Sequence, residues 1–184
     1  MPKGISGEVE AEVILSLEQD LVQWFSDAQK IVIVGIGNPI RRDDNVGSTI
    51  VSGLEGKVAK PILLIKSETV PENFLEPIVD FKPTHILIID AALLNLSPGS
   101  AKFVKYVEST EKVISTHALP IQIFYKYLTT TTRAKIAMLL VQPKDTSFGE
   151  GLTRELSLAR IRLVNILIKI IESLETKPLV EQTL

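Results

Sequence analysis

A chain of 184 residues that is 45% hydrophobic and 23% charged can bury one sizeable core, which excludes a disordered protein and suits a single domain over 1–184. Its formal net charge of −2 and pI near 5.8 give no general attraction for nucleic acid or an anionic membrane, so neither is expected as a partner. With no cysteine, disulfides, thiolate metal sites and a Cys nucleophile are all excluded.

Met1 to Glu10 has no apolar h-region and carries acidic residues early, so a secretory signal is not expected. Val13, Leu17, Leu21, Trp24 and Phe25 recur at helical spacing, which predicts an amphipathic helix over 10–29, an extension packed on the domain. Ile31 to Val34 is a continuous β-branched run ending at Gly35, the pattern of a strand covered on both faces. A helix is expected from Asn45 to Leu54 and a second buried strand from Pro61 to Lys66. Thr69-Val70-Pro71-Glu72 reads as a capping box opening a helix that Pro77 kinks or shortens. His85 to Asp90 is a third buried strand, ending in the acid. Ala101 to Val107 suits an edge strand, Leu119 to Leu128 a helix, Lys135 to Val141 another buried strand, and Thr153 to Leu174 a long amphipathic helix. The polar tail over 176–184 is expected to fray. No apolar stretch reaches the roughly 18 to 20 residues that span a bilayer; the longest, Leu163 to Ile171, is broken by Asn165 and Lys169. A cytoplasmic protein is expected.

Strands alternating with helices predict a three-layer α/β/α sandwich around a mainly parallel, possibly mixed, five-stranded sheet. Ligands of such sheets bind beyond the carboxyl ends of the strands, so residues just after each strand matter most. Those positions hold Asp44, Asp90 and His117, the last just before a predicted helix. A short acid before a helix is ordinarily an N-cap, an acid at a strand end a turn residue, and a lone histidine a structural one. His85, the other histidine, opens a strand at the opposite end of the sheet and reads as structural. Together, two carboxylates and an imidazole suit zinc or nickel with a coordination position left open. Two carboxylates about 5 Å apart repel by roughly 3 kcal/mol at an effective dielectric near 20, a penalty that a divalent cation removes. Gly35-x-Gly37 is an incomplete dinucleotide motif, since the third glycine position holds Ile40. The glycines more simply permit a tight turn and close backbone approach. Gly35, Gly37, Asn38 and Glu68 are the candidate substrate-binding positions.

The motifs resemble those of the hydrogenase maturation endopeptidases, closest to the type acting on hydrogenase-3-like large subunits. The matching pieces run in order from Val34-Gly35-Ile36-Gly37-Asn38 and Asp43-Asp44-Asn45-Val46-Gly47, through Val70-Pro71-Glu72-Asn73, Lys82 to Ala91 and Leu96-Ser97-Pro98-Gly99, to Ser115-Thr116-His117-Ala118-Leu119-Pro120 and Gln142-Pro143. The resemblance implies a mixed sheet flanked by helices, with the family's metal-contacting residues falling on Asp44, Asp90 and His117. It also implies that nickel is supplied by the substrate, a hydrogenase large-subunit precursor whose C-terminal tail is removed, with zinc or cadmium able to substitute in vitro. On this reading the bound metal polarises the scissile carbonyl or activates water, and a carboxylate outside the metal set, Asp43, assists proton transfer. Lys66-Ser67-Glu68 stands where the family has an Asp-Gly-Gly-like stretch, Asn45 where it has Gly, and the N-terminal helix is extra. Two other readings share these motifs: a peptidyl-tRNA hydrolase-like enzyme, whose catalytic histidine position here holds Asp44, and a non-catalytic binding or chaperone module for hydrogenase assembly.

Overall fold

The computed structural model describes residues 7–58, 61–68, 71–105, 114–115 and 118–175. The elements are α1 (Gly7–Phe25), β1 (Ile31–Ile36), α2 (Val46–Leu54), β2 (Ile62–Ser67), α3 (Leu75–Phe81), β3 (His85–Leu93), β4 (Ala101–Lys105), β5 (Ile114–Ser115), α4 (Ala118–Thr131), β6 (Lys135–Val141) and α5 (Arg154–Glu175). Short 3-10 turns at Arg42–Asn45 and Pro71–Phe74 precede α2 and α3.

The main sheet runs β2-β1-β3-β6-β4, and β5 pairs with β3 off this path. β2, β1, β3 and β6 are parallel, whereas β4 pairs antiparallel with β6 at the edge. Because successive strand residues face opposite sides, the alternation divides the core in two. Ile31 and Ile33, with Leu87, Ile89 and Leu139, pack under α1, α2 and α5. Val32, Val34 and Ile36, with Ile86, Ile88 and Met138, pack under α3 and α4. The three-layer mixed sandwich is therefore the one the sequence predicts. The N-terminal helix is integral to it: Leu17, Leu21, Trp24 and Phe25 belong to the first of these cores.

Two boundaries differ in a way that bears on function. β3 does not end at Asp90; it continues to Leu93, because β6 pairs with it through Ala91 and β5 pairs with Ala92 and Leu93. The helix expected from Thr69 becomes a 3-10 turn at Pro71–Phe74 followed by the seven-residue α3. Pro77 sits in the first turn of α3, where its missing N–H would have had no intrahelical partner. Thr69, Val70 and the tail over 176–184 lie outside the described residues, so those expectations are not addressed by the structure.

Candidate active site at the carboxyl edge of the sheet

The approach of α2 to the sheet ends fixes the site, and three glycines allow it. A Cβ on Gly35 would fall 2.2 Å from the Gly47 carbonyl oxygen. One on Gly47 would fall 2.2 Å from Ile89 O and 2.3 Å from Ile36 O, so the helix opening is wedged between the ends of β1 and β3. One on Gly37 would fall 2.5 Å from Asp44 O. Real Cβ atoms do not approach backbone this closely, so each position requires glycine. Ser48 secures the junction by donating to Gly35 O at 3.1 Å and Ser67 O at 3.3 Å.

Within this frame Asp44 lies in the 3-10 turn before α2 and is only 3% exposed. It is not the helix cap: Asn45 occupies that position and makes no side-chain cap bond. The turn packs against β3, which carries Asp90, fully buried, with Oδ1 accepting the Ala91 amide at 2.9 Å. Gly35 pairs with Ile89, so Asp90 is the first β3 residue beyond the ladder with β1. The fold thus brings Asp44 and Asp90 to one end of the sheet. His117 lies outside the described residues. Among the described residues, no group of three His, Asp or Glu side chains is arranged to hold a metal.

Of the remaining candidates, Gly35 is buried against α2 and has a packing role. Gly37 donates its amide to both Ser67 O and Glu68 O at 3.1 Å, which seats the exposed Glu68 beside the β1 turn. Asn38 closes a local turn, its Oδ1 accepting the Ile40 amide at 3.2 Å. Lys66 points away into an exposed ion pair with Glu55 at 2.9 Å.

Asp43 is not a carboxylate available for proton transfer. It is fully buried; Oδ2 accepts from Lys144 N at 3.0 Å, Asp145 N at 2.9 Å and Thr153 Oγ1 at 3.0 Å, and Oδ1 accepts from Thr153 N at 2.7 Å. It is a bracket that ties the turn before α2 to the segment joining β6 and α5. Gln142 does similar work nearby, accepting from Leu94 N at 2.7 Å and donating to Pro143 O at 2.9 Å. Sequence reasoning missed the bracket; the only signal was a second acid beside Asp44 that no helix cap requires.

Comparison with known proteins gives this geometry a family. A family model described as hydrogenase maturation protease matches residues 49–170. A Methanocaldococcus jannaschii protein described as a hydrogenase maturation protease is 38% identical over 167 residues, covering 86% of this chain and 98% of that one. The Escherichia coli hydrogenase 3 maturation protease is 24% identical over 124 residues, covering 67% of this chain and 79% of its own. The crystal structure of the [NiFe] hydrogenase maturation protease HycI from Thermococcus kodakarensis superposes with a TM-score of 0.77 at 28% identity, covering 83% of this chain and 99% of that one. The chain belongs to the hydrogenase maturation protease family and is accordingly a hydrolase.

Proposed function

We propose that this protein is a metal-dependent endopeptidase that removes the C-terminal extension of a nickel-loaded hydrogenase large-subunit precursor. The observation that carries the reading is the burial of two carboxylates, Asp44 and Asp90, at one end of the sheet. A buried carboxylate is costly unless hydrogen bonds, a cation or a proton offset its charge, and two gathered at one sheet end are a natural seat for a divalent ion. Their oxygens and the imidazole of His117 form a donor set that suits nickel, and zinc or cadmium as replacements. An ion held there would supply Lewis-acid polarisation of the scissile carbonyl or a more acidic water. The nickel arrives as part of the substrate.

The chain's own contribution is position. α2 and its glycines fix Asp44, and β6 and β5 extend the strand that carries Asp90. β5 also places Ser115 opposite Ala92, so the chain is anchored beside β3 two residues before it reaches His117. Gly37, Asn38 and Glu68 line the neighbouring rim and would contact the substrate backbone. No described helix is long and apolar enough to cross a membrane, and a cytoplasmic location is part of this proposal.

The test is processing of nickel-loaded precursor followed by gel shift. Asp90→Asn and His117→Ala should each lower the rate by more than about a hundredfold with melting temperature nearly unchanged. Precursor stripped of nickel should stay uncut by the unaltered enzyme. Normal tail removal by both variants would sink the mechanism.

A further inference from the structure

β2 is an edge strand, and its outer main chain is open. It pairs with β1 alone. Ile31 N donates to Pro61 O and Gly37 N to Ser67 O, each at 3.1 Å, so the odd-numbered residues of this segment turn their backbone polar groups towards β1. Ile62, Leu64 and Lys66 therefore point their amides and carbonyls away from the sheet. Among the described residues none of these groups has a backbone partner. Native sheets blunt such edges with charge. β4, at the other edge, does so with the exposed Lys102 and Lys105. β2 instead has Ile62, Leu63 and Leu64 in a row, all partly exposed, and its one charge, Lys66, is drawn aside by Glu55 at 2.9 Å.

This open edge runs up to the site. At its carboxyl end the Gly37 amide is shared between Ser67 O and Glu68 O, and Ser48 Oγ, from the opening turn of α2, donates to Ser67 O at 3.3 Å. β2 is thus fastened to the β1 turn and the α2 start that fix Asp44. A row of free amides and carbonyls at a two-residue repeat selects one kind of occupant, an extended main chain. On the function proposed, the substrate brings such a chain in its removable C-terminal extension.

We propose that the C-terminal extension of the precursor, beyond the scissile bond, adds to the outer edge of β2 as a further strand of the sheet. This rests on the protease reading above and adds where the segment to be removed is held. Strand spacing puts the added strand roughly 14 Å from β3, which carries Asp90, so pairing starts about five extended residues past the cut. The test uses the full-length enzyme. Hydrogen exchange is read with nickel-stripped precursor, so that no turnover intervenes. The Ile62, Leu64 and Lys66 amides should slow by at least about tenfold on adding precursor, while Leu63 and Ile65, already bonded to β1, change little. Lys66→Pro removes an outward amide that the sheet does not use. With nickel-loaded precursor it should raise KM about tenfold and leave kcat within about twofold. Lys66→Ala, which loses the same ion pair but keeps the amide, should process precursor as the unaltered enzyme does. Unchanged exchange at the three amides would overturn the added strand, as would a KM rise that Lys66→Ala shares. Should Lys66→Pro fail to fold, the exchange pattern of the unaltered enzyme decides alone. If the three amides are already slow without precursor and sedimentation shows a dimer, the edge pairs with a second copy and the proposal falls. If the unaltered enzyme never cuts nickel-loaded precursor, the protease reading fails on its own, and the alternating exchange pattern still decides the strand.

Discussion

Polar groups are buried at both ends of the sheet, but they are handled in opposite ways. At the amino end, His85 is 1% exposed, with Nδ1 3.0 Å from Thr84 Oγ1 and the edge of Trp24 against its ring at 4.8 Å. Thr84 Oγ1 accepts the Gln29 and Lys30 amides at 3.0 and 3.1 Å, so this cluster closes the bottom of β1 and β3. The histidine is neutralised by burial and walled in by an aromatic core. At the carboxyl end, Asp44 and Asp90 are buried where Gly35, Gly37 and Gly47 let the start of α2 close on the strand ends. Two acids gathered by close-packed backbone contribute little to stability that apolar residues would not supply better. The amino end is therefore a plug, and the carboxyl end, on the function proposed, a site whose two acids are held in a close-packed backbone frame.

The neighbours Asp43 and Asp44 carry that distinction to adjacent residues, and the strongest way to break it is to remove Asp43. Asp43→Ala strips acceptors from three backbone amides and one hydroxyl. It should cost roughly 4 kcal/mol in urea unfolding, since each orphaned buried donor costs about 1–3 kcal/mol and part of the loop can take up water. Asp43→Asn, which keeps one acceptor oxygen, should lose about half as much. Asp43→Ala with native stability but no activity would return Asp43 to the chemistry and erase the contrast. Gly47→Ala probes the frame itself: its Cβ would meet two carbonyl oxygens on two strands. Backbone cannot yield as a side chain can, so a loss of roughly 3 kcal/mol is expected by the same measurement. A loss below about 1 kcal/mol would show that α2 can retreat from the sheet and that the glycines do not fix Asp44.

How far these roles could be read from the sequence depends on how local their causes are. The strands were legible because Ile31–Val34 and Ile86–Ile89 are unbroken apolar runs, the pattern of a sheet covered on both faces. Asp44 and Asp90 were legible as candidates because acids follow those runs at the end where parallel sheets bind ligands. The bracket was not, because the partners of Asp43 lie 101 to 110 residues away and are mostly backbone amides. No residue type announces an amide. β5 was equally hidden: two residues show no periodicity, yet their pairing with Ala92 and Leu93 moves the end of β3 beyond Asp90. His85 was placed correctly because its position at the start of a strand sufficed.

The plug gives the smallest effect, and its sign is fixed. Burial lowers the His85 pKa below the ordinary imidazole range, and the attraction of Asp27, whose Oδ1 lies 3.4 Å from Nε2 outside hydrogen-bond geometry, only partly offsets this. Asp27 is itself engaged by Lys135 at 2.6 Å, which holds its carboxyl below its usual range. The unfolded chain therefore binds the His85 proton at a higher pH than the folded chain does. Stability from this residue is complete above about pH 6.5 and is lost as pH falls from there through the depressed folded value. The slope cannot exceed about 1.4 kcal/mol per pH unit for one proton. Melting curves between pH 7.5 and 5.5 should show a decline that His85→Gln removes, while activity at neutral pH changes little. A decline of the same size in His85→Gln would place the titrating group elsewhere, with the buried carboxylates at the other end of the sheet the first to examine.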